Sequence, residues 1–351
     1  MSGNPLRIVG IVWRACALAG ALALVTGCGM KISGPGETVS IQPLATEDLS
    51  GSCQFDINMP DQPGSTLGTE YNPSAPKITE VGALVVYERG DSANLFNDSQ
   101  VQNMAATLHL VTVFAHECDS KVTGDLQADA TKGPARALFA ALAQYATDSH
   151  HPEVANVKLV LSGFSAAGVL SVSMAQNYPS QLLGILPYAA GSAYLDLDTV
   201  AITPAMAQVP ALILANAYDP ESGVQRSLRL FNRGWGMGAP WGFGVQNNTG
   251  HCCTLSTRDV MIPWVTALLQ TQTVMSAAGT ATLKPQSAAA SPAVRFLCYT
   301  DGYYDAQGES NCFIYSASVL PSTAGGPQAG WLPDAATSQA WLSWVTSPGT
   351  N

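Results

Sequence analysis

The sequence is poor in charged residues and contains no run of basic ones. Only 11% of its 351 residues are Asp, Glu, Lys or Arg, and the formal net charge is −10. An acidic chain without a basic run lacks the electrostatic pattern of a nucleic-acid-binding protein, and it also lacks the charge that attaches proteins to anionic lipid. Hydrophobic residues make up 47% of the chain, which favours a compact globular protein over a disordered one.

Patterns that bind metals are also missing. The sequence has no C-x-x-C pair and no His/Cys spacing typical of a metal site. Asp301, Asp305 and Glu309 could coordinate calcium, but they lack the regular ligand spacing of an EF-hand and fit the polar tip of a hairpin better. We therefore expect neither a metal nor a cofactor.

The apolar segment near the start of the chain, residues 15–25, is too short to cross a bilayer. Arg7 and Arg14 lie on its amino-terminal side, and Val25-Thr26-Gly27-Cys28 ends it. This order resembles a bacterial lipoprotein signal, in which cleavage precedes a cysteine that carries the lipid. It predicts a signal peptide over residues 1–27, a lipidated Cys28 and a tether over residues 28–50. The protein would then be anchored to a membrane in the bacterial cell envelope, outside the cytoplasm. The alternative is an ordinary secretory signal that is cut elsewhere.

The cysteines beyond residue 28 predict disulfide bonds, because they are even in number in an exported chain. They are Cys53, Cys118, Cys252, Cys253, Cys298 and Cys312. Cys298 and Cys312 bracket a turn-like segment between two apolar runs, so we expect them to pair. We expect the adjacent Cys252 and Cys253 to pair with separate partners rather than with each other.

A serine lies at the centre of a nucleophile-elbow motif. Residues 163–167 read Gly-Phe-Ser-Ala-Ala, a G-x-S-x-A version of G-x-S-x-G, with Ser165 at its apex. The flanking residues must be small, because the chain turns sharply from a strand into a helix. An apolar run precedes the motif, and a helix-compatible stretch ended by Pro179 follows it. The motif with this setting predicts that Ser165 is a nucleophile.

Alternating segments predict an α/β fold with a mostly parallel central sheet and helices on both faces. The expected strands are 55–59, 83–87, 110–115, 158–162, 182–188, 211–215 and 241–245, of which the first is an antiparallel edge strand. The expected helices are 99–108, 134–147, 166–178 and 257–270. We expect a catalytic domain over residues 51–275. Residues 276–351 would form a linker and a C-terminal extension that packs on it, with a disulfide-stapled hairpin at 294–319 and a helix at 335–345 capped by Asp334.

The elbow and this alternation resemble the α/β-hydrolase superfamily over roughly residues 53–275. The segment from residues 133–138 through 151–156 to the elbow is similar to secreted or lipid-anchored bacterial esterases. The resemblance implies a serine hydrolase that cleaves a small-molecule or polymeric carboxylic ester. The superfamily also contains lipases, polyester depolymerases and peptidases. A peptidase, an acyltransferase and a non-catalytic cell-surface binding lipoprotein are therefore alternatives, and the oligomeric state stays open.

The remaining catalytic candidates follow from chain order. A serine hydroxyl needs a base, and the base needs a carboxylate that orients it; in this fold they follow in the order Ser, acid, His. Of the five histidines, only His251 lies downstream of Ser165. Asp219 follows an apolar strand at the expected place, with Glu221, Asp196 and Asp198 as rivals.

An oxyanion hole requires two backbone N–H groups. One would come from Ala166 and the other from the loop after the strand at 83–87, where Gly90 is the preferred donor and Arg89 and Asp91 are alternatives. Many members of the superfamily have His-Gly in this loop, whereas this chain has Glu88-Arg89-Gly90. The aromatic residues in 234–243 could line a pocket or pack at a strand edge. His116 and Glu117 could line the cleft.

Overall fold

An eight-stranded sheet forms the centre of the structure. The computed structural model describes residues 39–41, 53–60, 78–118, 129–191, 195–246, 249–277, 279–284 and 330–347. The strands are β1 (Val39–Ile41), β2 (Gln54–Asn58), β3 (Gly82–Tyr87), β4 (Leu110–His116), β5 (Lys158–Phe164), β6 (Leu182–Tyr188), β7 (Ala211–Asn216), β8 (Trp241–Gln246), β9 (Thr273–Met275) and β10 (Ala281–Leu283). The helices are α1 (Ser92–Phe96), α2 (Ser99–Thr107), α3 (Pro134–Asp148), α4 (Ala166–Asn177), α5 (Val224–Gly236), α6 (Arg258–Gln272) and α7 (Ala335–Thr346).

The sheet is mostly parallel. Its strand order is β1-β2-β4-β3-β5-β6-β7-β8. Strands β3 to β8 run parallel to one another, and β1 and β2 form the antiparallel end, where β2 pairs with β4. Every residue of β3, β6 and β7 is buried, which is why these strands read as continuous apolar runs rather than as alternating ones. The predicted α/β-hydrolase fold class is confirmed, with the difference that β1 covers β2, so β2 is not the edge strand.

The C-terminal helix packs on β8 and α6. Asp334 caps it as predicted, since its carboxylate accepts a hydrogen bond from the N–H of Thr337 at 2.7 Å. The indole of Trp341 donates to the carbonyl oxygen of Phe243 at 3.0 Å, and the N–H of Trp331 donates to that of Trp241 at 2.7 Å. The segment from 330 to 347 thus lies against β8 through backbone and side-chain hydrogen bonds.

One disulfide bond joins the ends of two paired strands. Cys53 precedes β2 and Cys118 follows β4, and the two are bonded across the antiparallel pair. Cys298 and Cys312 lie outside the described residues, as do the hairpin at 294–319, the expected signal peptide and Cys28. No helix within the described ranges is long and apolar enough to span a membrane.

Candidate active site

The turn between β5 and α4 places Ser165 in an unusual backbone conformation at the carboxyl ends of the parallel strands. Ser165 has φ 54° and ψ −121°, a region that non-glycine residues seldom adopt. A Cβ on Gly163 would lie 2.3 Å from the carbonyl oxygen of Ala167, and one on Gly168 would lie 2.9 Å from the Cβ of Ala190. The close contacts therefore fall on Gly163 and Gly168, and Ala167 fits where the usual motif has glycine.

A chain of hydrogen bonds joins Ser165, which the elbow motif predicted, to His251 and Asp219, which chain order predicted. The Nε2 atom of His251 lies 3.0 Å from Oγ of Ser165, and its Nδ1 atom lies 2.8 Å from Oδ2 of Asp219. The second carboxylate oxygen of Asp219 accepts the backbone N–H groups of Glu221 and Ser222, each at 2.9 Å. The Asp219 side chain is 1% exposed, so its orientation is fixed by these three donors and by the packing around it. The arrangement is that of a serine nucleophile, a base and an orienting carboxylate.

The rival carboxylates occupy other positions. Asp198 forms a two-pronged ion pair with Arg229, with both N–O distances at 2.7 Å, and this hydrogen bonding lowers the pKa of Asp198. Asp196 accepts the N–H of Asp198 within the same turn. Glu221 lies 3.4 Å from Nε2 of His251, on the side of the ring that faces the serine, and its side chain is 70% exposed. Among the four carboxylates, it is Asp219 that contacts Nδ1 of His251, the atom that an orienting carboxylate must contact.

The two candidate oxyanion donors lie on the elbow and on residues 88–91, which we call the oxyanion loop. Ala166 is the first residue of α4, and an N–H at this position has no carbonyl partner within the helix. In the oxyanion loop, the N–H of Arg89 donates to Oγ of Ser92 at 2.8 Å, which removes it from the candidates. Gly90 has φ +58°, and a Cβ added to it would lie 3.1 Å from Cε1 of Phe164, the residue before the nucleophile. Of the three candidates in the oxyanion loop, Gly90 and Asp91 therefore remain beside Ala166, and Gly90 stays the preferred donor as a proposal.

Cys252 and Cys253 are bonded to each other, so the prediction that each pairs with a separate partner is wrong. The backbone makes this possible because Cys253 adopts a left-handed conformation with φ 75°, which turns the chain between the two side chains. The bond directly follows His251, in a segment that two side chains hold in place. Asn216 donates to the carbonyl oxygen of Gly250 at 2.6 Å, and the hydroxyl of Tyr188 donates to that of Cys252 at 2.7 Å. Burial raises the pKa of Tyr188, so its hydroxyl stays protonated and remains a donor.

A cleft of about 830 Å³ opens beside the base. Its lining comes from distant parts of the chain and includes one of the two candidate donors, Gly90, together with Phe164, His251, Cys252, Cys253 and Trp344. The ring of Phe164 packs on the imidazole of His251 with centroids 4.6 Å apart. Trp344 comes from α7, so the C-terminal helix supplies part of the wall. A cavity of this volume is in the range of pockets for small ligands.

The fold is that of the α/β-hydrolases. No protein-family model and no curated protein sequence matches the chain. Among solved structures, it is similar to the fluorophosphonate-binding serine hydrolase FphF of Staphylococcus aureus, with 10% identity, a TM-score of 0.42 and coverage of 67% of this chain and 99% of that one. It is also similar to the S-formylglutathione hydrolase FrmB of the same organism, with 9% identity, a TM-score of 0.45 and coverage of 67% and 97%. Likeness at this level carries no activity across to this chain.

The remaining sequence candidates lie away from the catalytic atoms. Trp241 and Phe243 are buried: the indole of Trp241 donates to the carbonyl oxygen of Val209 at 2.9 Å, and Phe243 stacks on Phe231. The aromatic residues of β8 thus pack in the core rather than in the cleft. His116 lies 3.5 Å from Asp56 on the antiparallel side of the sheet. Within the described ranges, no group of three or more His, Cys, Asp or Glu side chains is placed to hold a metal ion.

Proposed function

We propose that the protein is a serine hydrolase that cleaves carboxylic esters through an acyl-enzyme. The observation that carries the proposal is the continuous hydrogen-bond chain from Asp219 through His251 to Ser165, with the serine at a strand-to-helix elbow. A binding protein has no need for a buried carboxylate aligned with an imidazole and a hydroxyl. The cleft of about 830 Å³ beside the base offers a place for a substrate.

In the first half-reaction, Oγ of Ser165 attacks the ester carbonyl carbon while Nε2 of His251 takes the hydroxyl proton. The carbonyl oxygen becomes an oxyanion, which accepts hydrogen bonds from the N–H groups of Ala166 and Gly90. Asp219 stabilises the imidazolium through Nδ1. The C–O bond then breaks as the imidazolium returns its proton to the leaving alkoxide, which departs as an alcohol and leaves an acyl-serine.

In the second half-reaction, water replaces the serine as the nucleophile. His251 takes a proton from the water as its oxygen attacks the acyl-serine, and the same two N–H groups stabilise the second oxyanion. Collapse of this intermediate breaks the bond to Oγ, to which His251 returns the proton. The products are a carboxylic acid and the free enzyme, and the chemistry requires only residues of this chain and water.

Replacement of Ser165 tests the proposal directly. Ser165→Ala should abolish both the hydrolysis of short p-nitrophenyl esters and labelling by a fluorophosphonate, because both depend on the same nucleophile. Ser180→Ala, at an exposed serine shortly after α4, is the matched control and should behave as wild type. Ester hydrolysis by Ser165→Ala at the wild-type rate would sink the assignment. A panel of esters, peptide amides and alcohol acceptors separates the esterase from a peptidase or an acyltransferase, and absence of labelling in the wild type favours a binding protein.

We also propose that the mature chain is a lipoprotein of the bacterial cell envelope, acylated on Cys28 and active outside the cytoplasm. The support is the order of a basic segment, an apolar segment and Val25-Thr26-Gly27-Cys28. In cells fed radiolabelled palmitate, Cys28→Ala should lose the label and Cys16→Ala should keep it. Retention of the label by Cys28→Ala would contradict the anchor without affecting the esterase proposal.

A further inference from the structure

The bond between Cys252 and Cys253 directly follows the candidate base in the chain and lines the same cleft as the candidate oxyanion donor Gly90. His251 immediately precedes it, in residues 249–253, which we call the base loop. Both cysteines line the cleft, together with Gly90 of the oxyanion loop. A disulfide between adjacent residues joins no distant parts of the chain. Its effect is therefore on the local path of the backbone.

That local path leads directly to the oxyanion loop. After Cys253, the backbone N–H of Thr254 donates to Oδ1 of Asp91 at 2.9 Å, and the Thr254 hydroxyl donates to the same oxygen. Asp91 occupies the position before α1 where a side chain usually caps the helix, yet its carboxylate makes no cap hydrogen bond. Its carboxylate instead accepts the hydrogen bonds from Thr254, and these hold Asp91, the residue next to Gly90, in position.

The conformation of Cys253 explains why the disulfide matters for this contact. Cys253 has φ 75°, and a non-glycine residue keeps a left-handed conformation only where its surroundings impose it. The bond to Cys252 supplies such a constraint, and the carbonyl oxygen of Cys253 is fixed on the other side by the N–H and hydroxyl of Ser256, at 3.1 and 2.7 Å. Without the bond, Cys253 is free to move to the right-handed or extended region. Thr254 would then change direction relative to Asp91.

We propose that the Cys252–Cys253 disulfide is a positioning element that aligns the oxyanion loop with the base loop through Thr254 and Asp91. The inference rests on the proposed function. It assigns the disulfide and Asp91 to the geometry of the transition state rather than to substrate contact or to global stability. Loss of the bond should therefore lower kcat, since a displacement of about 1 Å of a catalytic group can cost about 100-fold in rate.

The test compares two double variants of the full-length protein. Cys252→Ala with Cys253→Ala should lower kcat for p-nitrophenyl acetate by about 10- to 100-fold, slow fluorophosphonate labelling similarly, and leave KM within about threefold of wild type. Cys53→Ala with Cys118→Ala is the matched control and should lower the melting temperature while the folded protein keeps its kcat. Wild-type kcat in the first variant, or a change confined to KM, would overturn the proposal.

A double-mutant cycle tests the route through Asp91. Asp91→Ala alone should lower kcat about as much as removal of Cys252 and Cys253, and the combined variant should be little slower than either, because all of them break one connection. If the fold-losses in kcat of the separate variants multiplied in the combined variant, the route through Asp91 would be contradicted.

Reduction offers a measurement that needs no substitution in the base loop. In a background in which Cys53, Cys118, Cys298 and Cys312 are all replaced by Ala, dithiothreitol supplies two electrons and two protons to the Cys252–Cys253 bond and becomes its own cyclic disulfide. Ester hydrolysis should fall as two thiols form and return on reoxidation, whereas unchanged hydrolysis with both thiols free would overturn the proposal. If Ser165→Ala hydrolyses esters like wild type, the proposed function fails instead, so the two failures are distinguishable.

Discussion

Two carboxylates lie near His251, and their surroundings differ. Asp219 is almost fully buried and contacts Nδ1 at 2.8 Å, whereas Glu221 is 70% exposed and lies 3.4 Å from Nε2. Only the first can fix the tautomer that leaves Nε2 free to accept a proton from the serine. The exposed pair of Glu221 with His251 contributes little interaction energy, because water screens it.

Replacing each carboxylate by its amide separates these roles. Asp219→Asn should lower kcat by about 10⁴-fold, since the amide favours the wrong tautomer of the base. Glu221→Gln should change kcat by less than about threefold, as expected for an exposed pair. Steady-state hydrolysis of p-nitrophenyl acetate at neutral pH measures both, and an equal loss in the two variants would assign the orienting role to neither residue alone.

At this scale the sequence predicts the positions of the site but not its finer contacts. The elbow motif selected Ser165, chain order selected His251, and a position after an apolar strand favoured Asp219 over three rival carboxylates. Gly90 was preferred as oxyanion donor only weakly, since every residue of the oxyanion loop has a backbone N–H group. The Cys252–Cys253 bond was predicted wrongly, because it depends on the left-handed backbone of Cys253, which nothing in a Cys-Cys pair indicates.

Among the elements, the β5–α4 elbow has little tolerance for added volume, because the contacts there are with backbone atoms. A methyl group on Gly163 would lie 2.3 Å from the carbonyl oxygen and 2.4 Å from the carbonyl carbon of Ala167. Both atoms belong to the backbone, so they can move only if the first turn of α4 moves. That displacement would carry Ser165 and the N–H of Ala166 with it.

Gly163→Ala should therefore lower both stability and activity, and Gly236→Ala is its control. Gly236 ends α5, and a Cβ there has no atom within 4 Å. The control should be neutral or stabilising by up to about 1 kcal/mol, because alanine is the better helix former. Thermal unfolding with a parallel ester assay measures both. A Gly163→Ala protein with wild-type activity would show that the turn is more adaptable than the contacts indicate.

The longer elements were predicted well, and the errors have a physical pattern. Buried strands such as β5 and β7 stand out because both faces of a parallel sheet exclude polar residues. Helix α5 was missed although it carries Arg and Asn on one side and Val, Leu and Phe on the other, the amphipathic pattern that is typical of a surface helix. The short strands β1, β9 and β10 offer only three residues each, too few for a pattern.

For the whole molecule, stability should depend on the disulfide that closes a long loop rather than on the one beside the base. Cys53 and Cys118 are 65 residues apart, and in the chain-entropy model such a bond stabilises the folded state by about 4 kcal/mol. The Cys252–Cys253 bond spans one residue step, and the same model gives it about 1 kcal/mol. Urea unfolding of the two alanine double variants measures the difference, and equal losses would contradict this account.

Two tryptophans of α7 provide a second comparison at this scale. The indole N–H of Trp341 donates to the carbonyl oxygen of Phe243, whereas that of Trp344 has no hydrogen-bond partner among the described residues. Both rings are buried, so replacement by phenylalanine removes similar volume from each. Trp341→Phe should destabilise the protein by about 0.5–1.5 kcal/mol more than Trp344→Phe, because it removes a buried hydrogen bond to the carbonyl oxygen of Phe243. Urea unfolding tests this, and the reverse order would contradict the role of the bond.

One wall of the cleft comes from α7, and this affects how the substrate specificity of such an enzyme can change. The proposed nucleophile, carboxylate and base lie between residues 165 and 251, but Trp344 reaches the cleft from α7, a separate stretch of chain. Mutations in α7 can therefore reshape the wall while the nucleophile, base and carboxylate keep their own supports. Under the proposed function, selection or laboratory evolution for a new ester can act on the last helix first, with the catalytic machinery inherited unchanged.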